Sequence, residues 1–131
     1  MRLCVELSGS RQPDRPLSAR GYDDKGNLFL DGTNGYFSGY QTTLAELPKD
    51  KKRWIDFQVD EWLAYPGGVQ WNGKNLAVGN QENKIYRFSI SNGKVTEVGQ
   101  TLLGGVDRVL QFLITGDDVI GGSLDSGTVD V

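Results

Sequence analysis

Acidic side chains are the residues of this chain whose type and position best suit chemistry. The main candidates are Asp31, Asp60, Glu61, Glu82 and Asp107. Each of them follows or separates stretches that have a strand-like pattern, and Asp125 is a further acid in such a position. Carboxylate oxygens are preferred ligands of Ca²⁺ and Mg²⁺, and such a cation can polarise a carbonyl group and lower the pKa of a bound water. The competing interpretation is that these are solvated loop acids that keep the surface polar.

Aromatic residues flanked by glycines form a second candidate, in the segment 31–40. Tyr36, Phe37 and Tyr40 lie in this segment, which is longer than the comparable segment 80–83. Aromatic rings on a long loop suit stacking against a ligand ring or a sugar. The alternative is that the three rings only cover the edge of a sheet.

The groups that the chain lacks exclude several mechanisms. Its 131 residues contain no histidine, which excludes a histidine-based triad, a histidine zinc ligand and a histidine general base. Cys4 is the single cysteine, so no disulfide can form within the chain. We therefore predict no catalytic residues and no resident cofactor, with a divalent cation such as Ca²⁺ or Mg²⁺ as the open alternative.

The charge and hydropathy of the chain indicate which classes of partner it is expected not to bind. The net charge of −3 disfavours a nucleic-acid backbone as the main partner. The basic run 49–53 is interrupted by Asp50 and is interpreted as a solvated turn. No apolar run approaches membrane-spanning length, and residues 1–7 are too short and too soon charged for a signal-peptide core. We expect neither a nucleic-acid nor a membrane partner.

Three similar hairpin-like stretches indicate the elements that must position these residues. They are 24–32, 72–80 and 115–123. With Leu28, Leu76 and Val119 taken as equivalent, the intervals are 48 and 43 residues. Recurrence at this spacing, with strands and Gly-rich turns, predicts a blade-type β repeat.

Alternating apolar residues and turn signals predict the individual strands. The first unit has strands at about 18–23, 27–31, 41–47 and 53–59, and the second at about 63–71, 75–80, 84–90 and 94–102. The third unit offers about 108–115, 118–122 and 128–131, with the N-terminal strand 2–7 predicted to supply the fourth. Truncation of the third unit is the alternative. Tyr86, Phe88 and Ile90 are expected on the single apolar face of a half-buried strand.

Paired glycines are the last motif. Gly67-Gly68, Gly104-Gly105 and Gly121-Gly122 lead into no helix, so a phosphate-binding loop is excluded. We interpret them as sheet glycines that permit close backbone approach at crowded inner strands.

The segments 24–32 with 44–48, and 66–79 with 84–90, resemble blades of bacterial six-bladed β-propellers. The group includes NHL-repeat and gluconolactonase-type proteins, and the resemblance covers about residues 17–131. It implies one all-β domain, residues 1–131, made of three four-stranded antiparallel blades, half of a six-bladed propeller. The blades are about 17–60, about 61–103, and about 104–131 together with strand 2–7. Gluconolactonase-type relatives hold a divalent metal in the channel, but no residue here matches their ligand set.

Three blades cannot close a ring, because blade width and strand twist set closure at about four to eight. We therefore expect a homodimer that completes a six-bladed ring. If the sequence is a fragment, the remaining blades are simply absent from it. A single β-barrel is the competing fold.

The predicted function is a non-catalytic module that binds a small molecule or a protein. Its predicted ligand-binding residues are Asp31, Tyr36, Tyr40, Asp60, Glu61, Glu82 and Asp107. The alternative is a metal-dependent lactonase or hydrolase with an acid-lined central channel. A third possibility is a structural fragment of a larger extracellular protein.

Overall fold

A computed structural model of the chain describes residues 17–34, 41–59, 67–79, 83–104, 109–123 and 129–130. Regular structure in these residues consists of β-strands arranged in antiparallel sheets, which confirms the predicted all-β fold. None of these residues belongs to a helix of the length and apolarity needed to cross a lipid bilayer. The predicted N-terminal strand 2–7 lies outside the described residues.

The strands form three sheets, each of which follows chain order. The first contains β1 (Leu17–Tyr22), β2 (Leu28–Asn34), β3 (Gln41–Leu47) and β4 (Ile55–Gln58). The second contains β5 (Val69–Trp71), β6 (Leu76–Gly79), β7 (Lys84–Ser91) and β8 (Lys94–Leu102). The third contains β9 (Val109–Thr115), β10 (Asp118–Ser123) and β11 (Val129–Asp130). The predicted strands are confirmed on the described residues, and most of their bounds agree within three residues. The exception is the strand predicted at about 63–71: β5 begins at Val69, Gly67 and Gly68 do not belong to it, and residues 63–66 lie outside the described residues.

Two hairpin turns show why the sequence breaks where it does. Ser91 pairs with Lys94 across Asn92 and Gly93, whose φ angles are 51° and 73°. Two consecutive positive φ values are those of a type I′ turn, whose twist matches that of the flanking strands. Gly116, with φ of 60°, closes the β9–β10 hairpin in the same two-residue length.

The sheets stack in chain order. We call the face of a sheet that points toward the next sheet its front face, and the opposite face its rear face. β1 and β2 contact β5, and β4 contacts β8. The core between the first two sheets is apolar and buried; it consists of Phe29, Leu44, Phe57, Val59, Val69, Leu76, Val78, Tyr86 and Phe88.

A second, smaller core joins the second sheet to the third, where β6 contacts β9. Ala77, Ile85 and Leu103 form it, and three side chains of the third sheet pack against it: Phe112, Ile114 and Val119. The second sheet is thus covered on both faces. β7 was predicted to be half-buried, and this is wrong: Ile85 on its front face and Phe88 on its rear face are both 1% exposed, because each face meets a neighbouring sheet.

We call the first strand of each sheet its inner strand, and neighbouring sheets approach each other closely there. A Cβ atom at Gly21 of β1 would lie 2.7 Å from the backbone oxygen of Val69 on β5. A Cβ atom at Gly68 would lie 3.2 Å from the ring of Phe112. The predicted role of the paired glycines is confirmed at Gly68. It is wrong at Gly104 and Gly122, where an added Cβ meets nothing within 4 Å.

β8 contains a β-bulge. Glu97 pairs with Phe88 and Gly99 pairs with Arg87, so Val98 has no opposite residue on β7. The extra residue reverses the alternation of faces along the strand. Val95 consequently packs against the core on the rear face, whereas Gly99 lies beneath Arg87 on the front face.

A side-chain amide ties the second sheet to the third. Gln70, on the front face of β5, donates from Nε2 to the backbone oxygen of Ile114 at 3.3 Å. The backbone N–H of Ile114 donates to Gln70 Oε1 at 2.9 Å. The amide therefore satisfies both polar groups of one residue on β9, which fixes the two inner strands relative to each other.

Replacement of Gln70 by Leu, which has a similar volume, will leave the N–H and C=O groups of Ile114 without these partners. We expect a loss of about 1 kcal/mol in the free energy of unfolding, since both groups are only partly buried. Amide hydrogen exchange at Ile114 will become faster. Gln100→Leu, at an exposed position on β8, is the matched control. Equal exchange at Ile114 in both variants would contradict the role assigned to Gln70.

Candidate functional site

Asp31 is the one predicted ligand-binding residue that the structure describes. The prediction placed it at the start of a loop, but β2 continues through Asn34 because Thr33 and Asn34 pair with Thr42 and Gln41. Asp31 therefore lies within β2, and it is only 1% exposed. It makes at least one hydrogen-bonding or electrostatic contact in the protein. Among the described residues, Asp31 is the one buried residue with a charged side chain.

The position of Asp31 has counterparts in the other sheets. Leu28, Leu76 and Val119 pair with Tyr22, Trp71 and Ile114 on the respective inner strands. Three residues further along each second strand lie Asp31, Gly79 and Gly122. Gly79 lies beneath the Phe112 ring, which a Cβ atom there would approach to 3.3 Å. Of these three positions only that of Asp31 carries a side chain, so the carboxylate is a feature of the first sheet alone.

The remaining predicted ligand-binding residues lie outside the described residues. They are Tyr36, Tyr40, Asp60, Glu61, Glu82 and Asp107, together with Phe37 and Asp125. Their convergence on one site stays a prediction. Within the described ranges, no three acidic, cysteine or histidine side chains are grouped so that they could hold a metal ion.

A polar cluster at the other end of the first sheet was not predicted. The Asp23 carboxylate accepts hydrogen bonds from the backbone N–H groups of Lys25 and Asn27, at 3.0 and 2.8 Å. It also accepts one from Asn27 Nδ2 at 2.8 Å. Asn27 Oδ1 in turn accepts a hydrogen bond from the backbone N–H of Lys49 at 2.9 Å. These bonds join the β1–β2 turn to the β3–β4 turn, so the cluster has a structural role.

Glu46 lies beside this cluster on β3, and its pKa is raised above the ordinary value of 4.5. Desolvation by burial is the main cause and the negative charge of Asp23 is the second, while Lys25 acts in the opposite direction. The folded chain thus holds the Glu46 proton to a higher pH than the unfolded chain does. Between the Glu46 pKa of the unfolded chain and that of the folded chain, the free energy of unfolding falls as the pH rises. Above both pKa values the whole penalty, the cost of burying the ionised carboxylate, is present.

Glu46→Gln will remove this penalty. We expect the variant to be more stable than the native chain at neutral pH, and the difference to disappear as the pH falls below 4.5, the ordinary pKa. Urea unfolding at a series of pH values on both sides of this point measures the effect. Asp117→Asn, which changes an exposed carboxylate in the β9–β10 turn, is the control. A Glu46→Gln profile parallel to that of the native chain would exclude the proposed cause.

Two buried nitrogen atoms in the second sheet have no hydrogen-bond partner among the described residues: Trp71 Nε1 and Arg87 Nε. Trp71 packs against the rear-face core. Arg87 lies on the front face, and a Cβ atom at Gly99 would come within 2.8 Å of its Nη2. Gly99 therefore makes room for the guanidinium group above β8. The sequence signal for this arrangement is weak, because alternation along β7 predicted only that Tyr86, Phe88 and Ile90 share an apolar face.

Comparison with known proteins identifies no relative of the chain. No protein-family model matches it, and neither does any curated protein or solved structure. The resemblance to six-bladed propellers accordingly stays a prediction.

Proposed function

We propose that this chain is a non-catalytic binding module whose three sheets are blades of the β-propeller type. The observation that carries the proposal is the stacking of successive antiparallel meanders, with corresponding strands of the first two sheets in contact. β1 lies against β5 and β4 against β8, which is the arrangement of radially packed blades. A closed barrel would instead join neighbouring sheets through hydrogen bonds between their strands.

Agreement between the sheets in register supports the same architecture. The equivalent residues of the three second strands are Leu28, Leu76 and Val119. Each pairs with a large apolar residue of its inner strand, which is Tyr22, Trp71 or Ile114 respectively. The residue that precedes each of these on the inner strand lies on the front face. At two of the three positions that residue, Gly21 or Gln70, meets the inner strand of the next sheet.

The ligand is proposed to bind where second strands connect to third strands. β2 leads to β3 through segment 35–40, and β6 leads to β7 through segment 80–83. In a blade stack such connections lie on one face, together with the connections between blades. Asp31, near the end of β2, is the buried carboxylate closest in sequence to segment 35–40. A polar small molecule or a protein segment fits this combination of carboxylates and tyrosines.

Catalysis is not part of the proposal because the chain contains no histidine and a single cysteine. A nucleophile activated by a neighbouring histidine is therefore impossible. The metal-dependent lactonase remains the enzymatic alternative, and it has no support from a cluster of described metal ligands.

The experiment is a thermal-shift screen of the full chain against a panel of sugars, nucleosides and carboxylic acids, with Ca²⁺, Mg²⁺, Mn²⁺ and Zn²⁺ added separately. For the ligand that raises the melting temperature, we expect Asp31→Asn and Tyr36→Ala to reduce the shift. Asp24→Asn, which alters an exposed residue of the β1–β2 turn, is the matched control and should keep it. Metal-dependent hydrolysis of a lactone by the native chain would overturn the proposal in favour of the enzyme.

A further inference from the structure

The stack of sheets has two ends, and each end leaves an inner strand without a neighbouring sheet among the described residues. At one end this is the front face of the third sheet, which carries Leu113 and Ile120. At the other end it is the rear face of the first sheet, which carries Tyr22. We call the contacts between the first and second sheets, and between the second and third sheets, the two internal junctions. Comparison with them shows which contacts each end lacks.

Equivalent front-face positions on the three inner strands have different surroundings. Gly21 approaches the backbone of Val69 on the next sheet. Gln70 binds the backbone of Ile114 on the next sheet. Leu113 occupies the same position in the third sheet, yet it is 54% exposed. A leucine thus stands where the other two sheets make their inter-sheet contacts.

A second position on the same face gives the same result independently. Gly79 of the second sheet is covered by the ring of Phe112, at 3.3 Å from an added Cβ atom. Gly122 is its counterpart in the third sheet, and an added Cβ atom there meets nothing within 4 Å. The front face of the third sheet is therefore open at two positions that are covered in the second sheet.

The rear face at the opposite end is open on its inner strand. Trp71 and Ile114 are partly buried against the preceding sheet. Tyr22, their counterpart on β1, is 62% exposed. Leu30 and Ala45 on this rear face are buried, so the open part is the Tyr22 end of β1. Two exposed apolar side chains of the inner strands, Leu113 and Tyr22, thus lie at opposite ends of one stack.

We infer that each of these ends binds the opposite end of a second copy of the chain, with the front face of the third sheet meeting the rear face of the first along the inner strands β9 and β1. The junction between the second and third sheets specifies the contact: Gln70 meets Ile114 there, and the corresponding pair is Leu113 of one copy with Tyr22 of the other. Two such junctions related by a two-fold axis close a ring of six sheets without a free end. The inference rests on the proposed blade architecture, and it adds the partner and the contacting residues.

Multi-angle light scattering after size exclusion should give twice the mass of one chain for the native protein. Leu113→Lys and Gly122→Leu place larger or charged groups in space that a single chain leaves open, so both variants should fold. Each should raise the dimer dissociation constant about tenfold or more. Leu102→Lys, at a 64% exposed position on β8, is the matched control and should remain dimeric.

Disulfide cross-linking identifies the pairing. In a Cys4→Ser background, a Leu113→Cys chain mixed with a Tyr22→Cys chain should form a covalent dimer under mild oxidation. Neither variant alone should do so, because the contact joins unlike ends. A native monomer at all concentrations, cross-linking of Leu113→Cys to itself, or assemblies larger than two chains would overturn the inference. A monomer that still shows the ligand-induced thermal shift would overturn only the assembly and leave the binding function standing.

Discussion

Leu76→Ala is expected to lower the free energy of unfolding by about 2–5 kcal/mol, the largest effect of any substitution considered for this chain. Leu76 is 0% exposed and belongs to the core between the first and second sheets. Removal of its side chain leaves a cavity among Phe29, Phe88 and their neighbours, which are themselves held by strand pairing and cannot collapse fully. Chemical denaturation followed by circular dichroism measures the loss.

Leu102→Ala is the matched control for this substitution, because it removes the same atoms from a side chain that is 64% exposed. Its effect should stay within about 0.5 kcal/mol. A similar loss in both variants would mean that the apolar surface of the second sheet is not buried against the first. In that case the stacking that underlies the proposed function would be wrong as well.

Gly21→Ala is expected to lower the free energy of unfolding by about 1–3 kcal/mol, even though it adds a single methyl group. The new Cβ atom would lie 2.7 Å from the backbone oxygen of Val69. A backbone atom cannot rotate away as the end of a side chain can, so β1 and β5 must separate. The melting temperature should fall, and amide exchange should become faster on both inner strands.

Gly104→Ala is the control for Gly21→Ala, since an added Cβ atom at Gly104 meets nothing within 4 Å. Alanine also restricts the unfolded chain, which favours folding slightly. The control should therefore leave stability unchanged or raise it by a few tenths of a kcal/mol, about the size of that entropic gain. A destabilisation by Gly104→Ala as large as that by Gly21→Ala would exclude close inter-sheet approach as the cause.

Strand positions could be predicted from the sequence because the determinants are local. Alternation along 84–90 predicted β7, and Asn92-Gly93 predicted the turn that ends it, since few other residues adopt two consecutive positive φ values. The second and third sheets are therefore correctly placed along the chain. The β9–β10 turn was predicted from Gly116, whose φ of 60° is the single positive angle of that two-residue turn.

Burial of both faces of β7 could not be predicted, because it depends on which sheets lie on either side. Ser89 and Arg87 made the front face look polar, yet Ile85 on that face is 1% exposed against the third sheet. The bulge at Val98 could not be predicted from the sequence either. A one-residue change in register leaves the composition of a strand unaltered, although it exchanges the faces of all later residues.

The candidate site was predictable to a smaller extent. Asp31 was predicted as a ligand-binding residue, and that stays a prediction. Its burial was missed, because the ladder that extends β2 uses Thr33 and Asn34, residues typical of a loop. The raised pKa of Glu46 was missed as well. The shift arises from burial and from the charge of Asp23. Asp23 lies in the β1–β2 connection, 23 residues before Glu46 in the sequence, and only the fold brings the two side chains together.

The bulge in β8 has a consequence for self-association of the unfolding chain. β8 lies at the edge of the second sheet, and a nine-residue edge strand rich in Val and Thr can template fibre growth. Val98 divides this edge into Lys94–Glu97 and Gly99–Leu102, two tracts of four residues that present opposite faces. Both are shorter than the roughly six-residue segments from which amyloid zippers form. The bulge thus shortens the unpaired tracts of β8 with which the edge of another chain could pair.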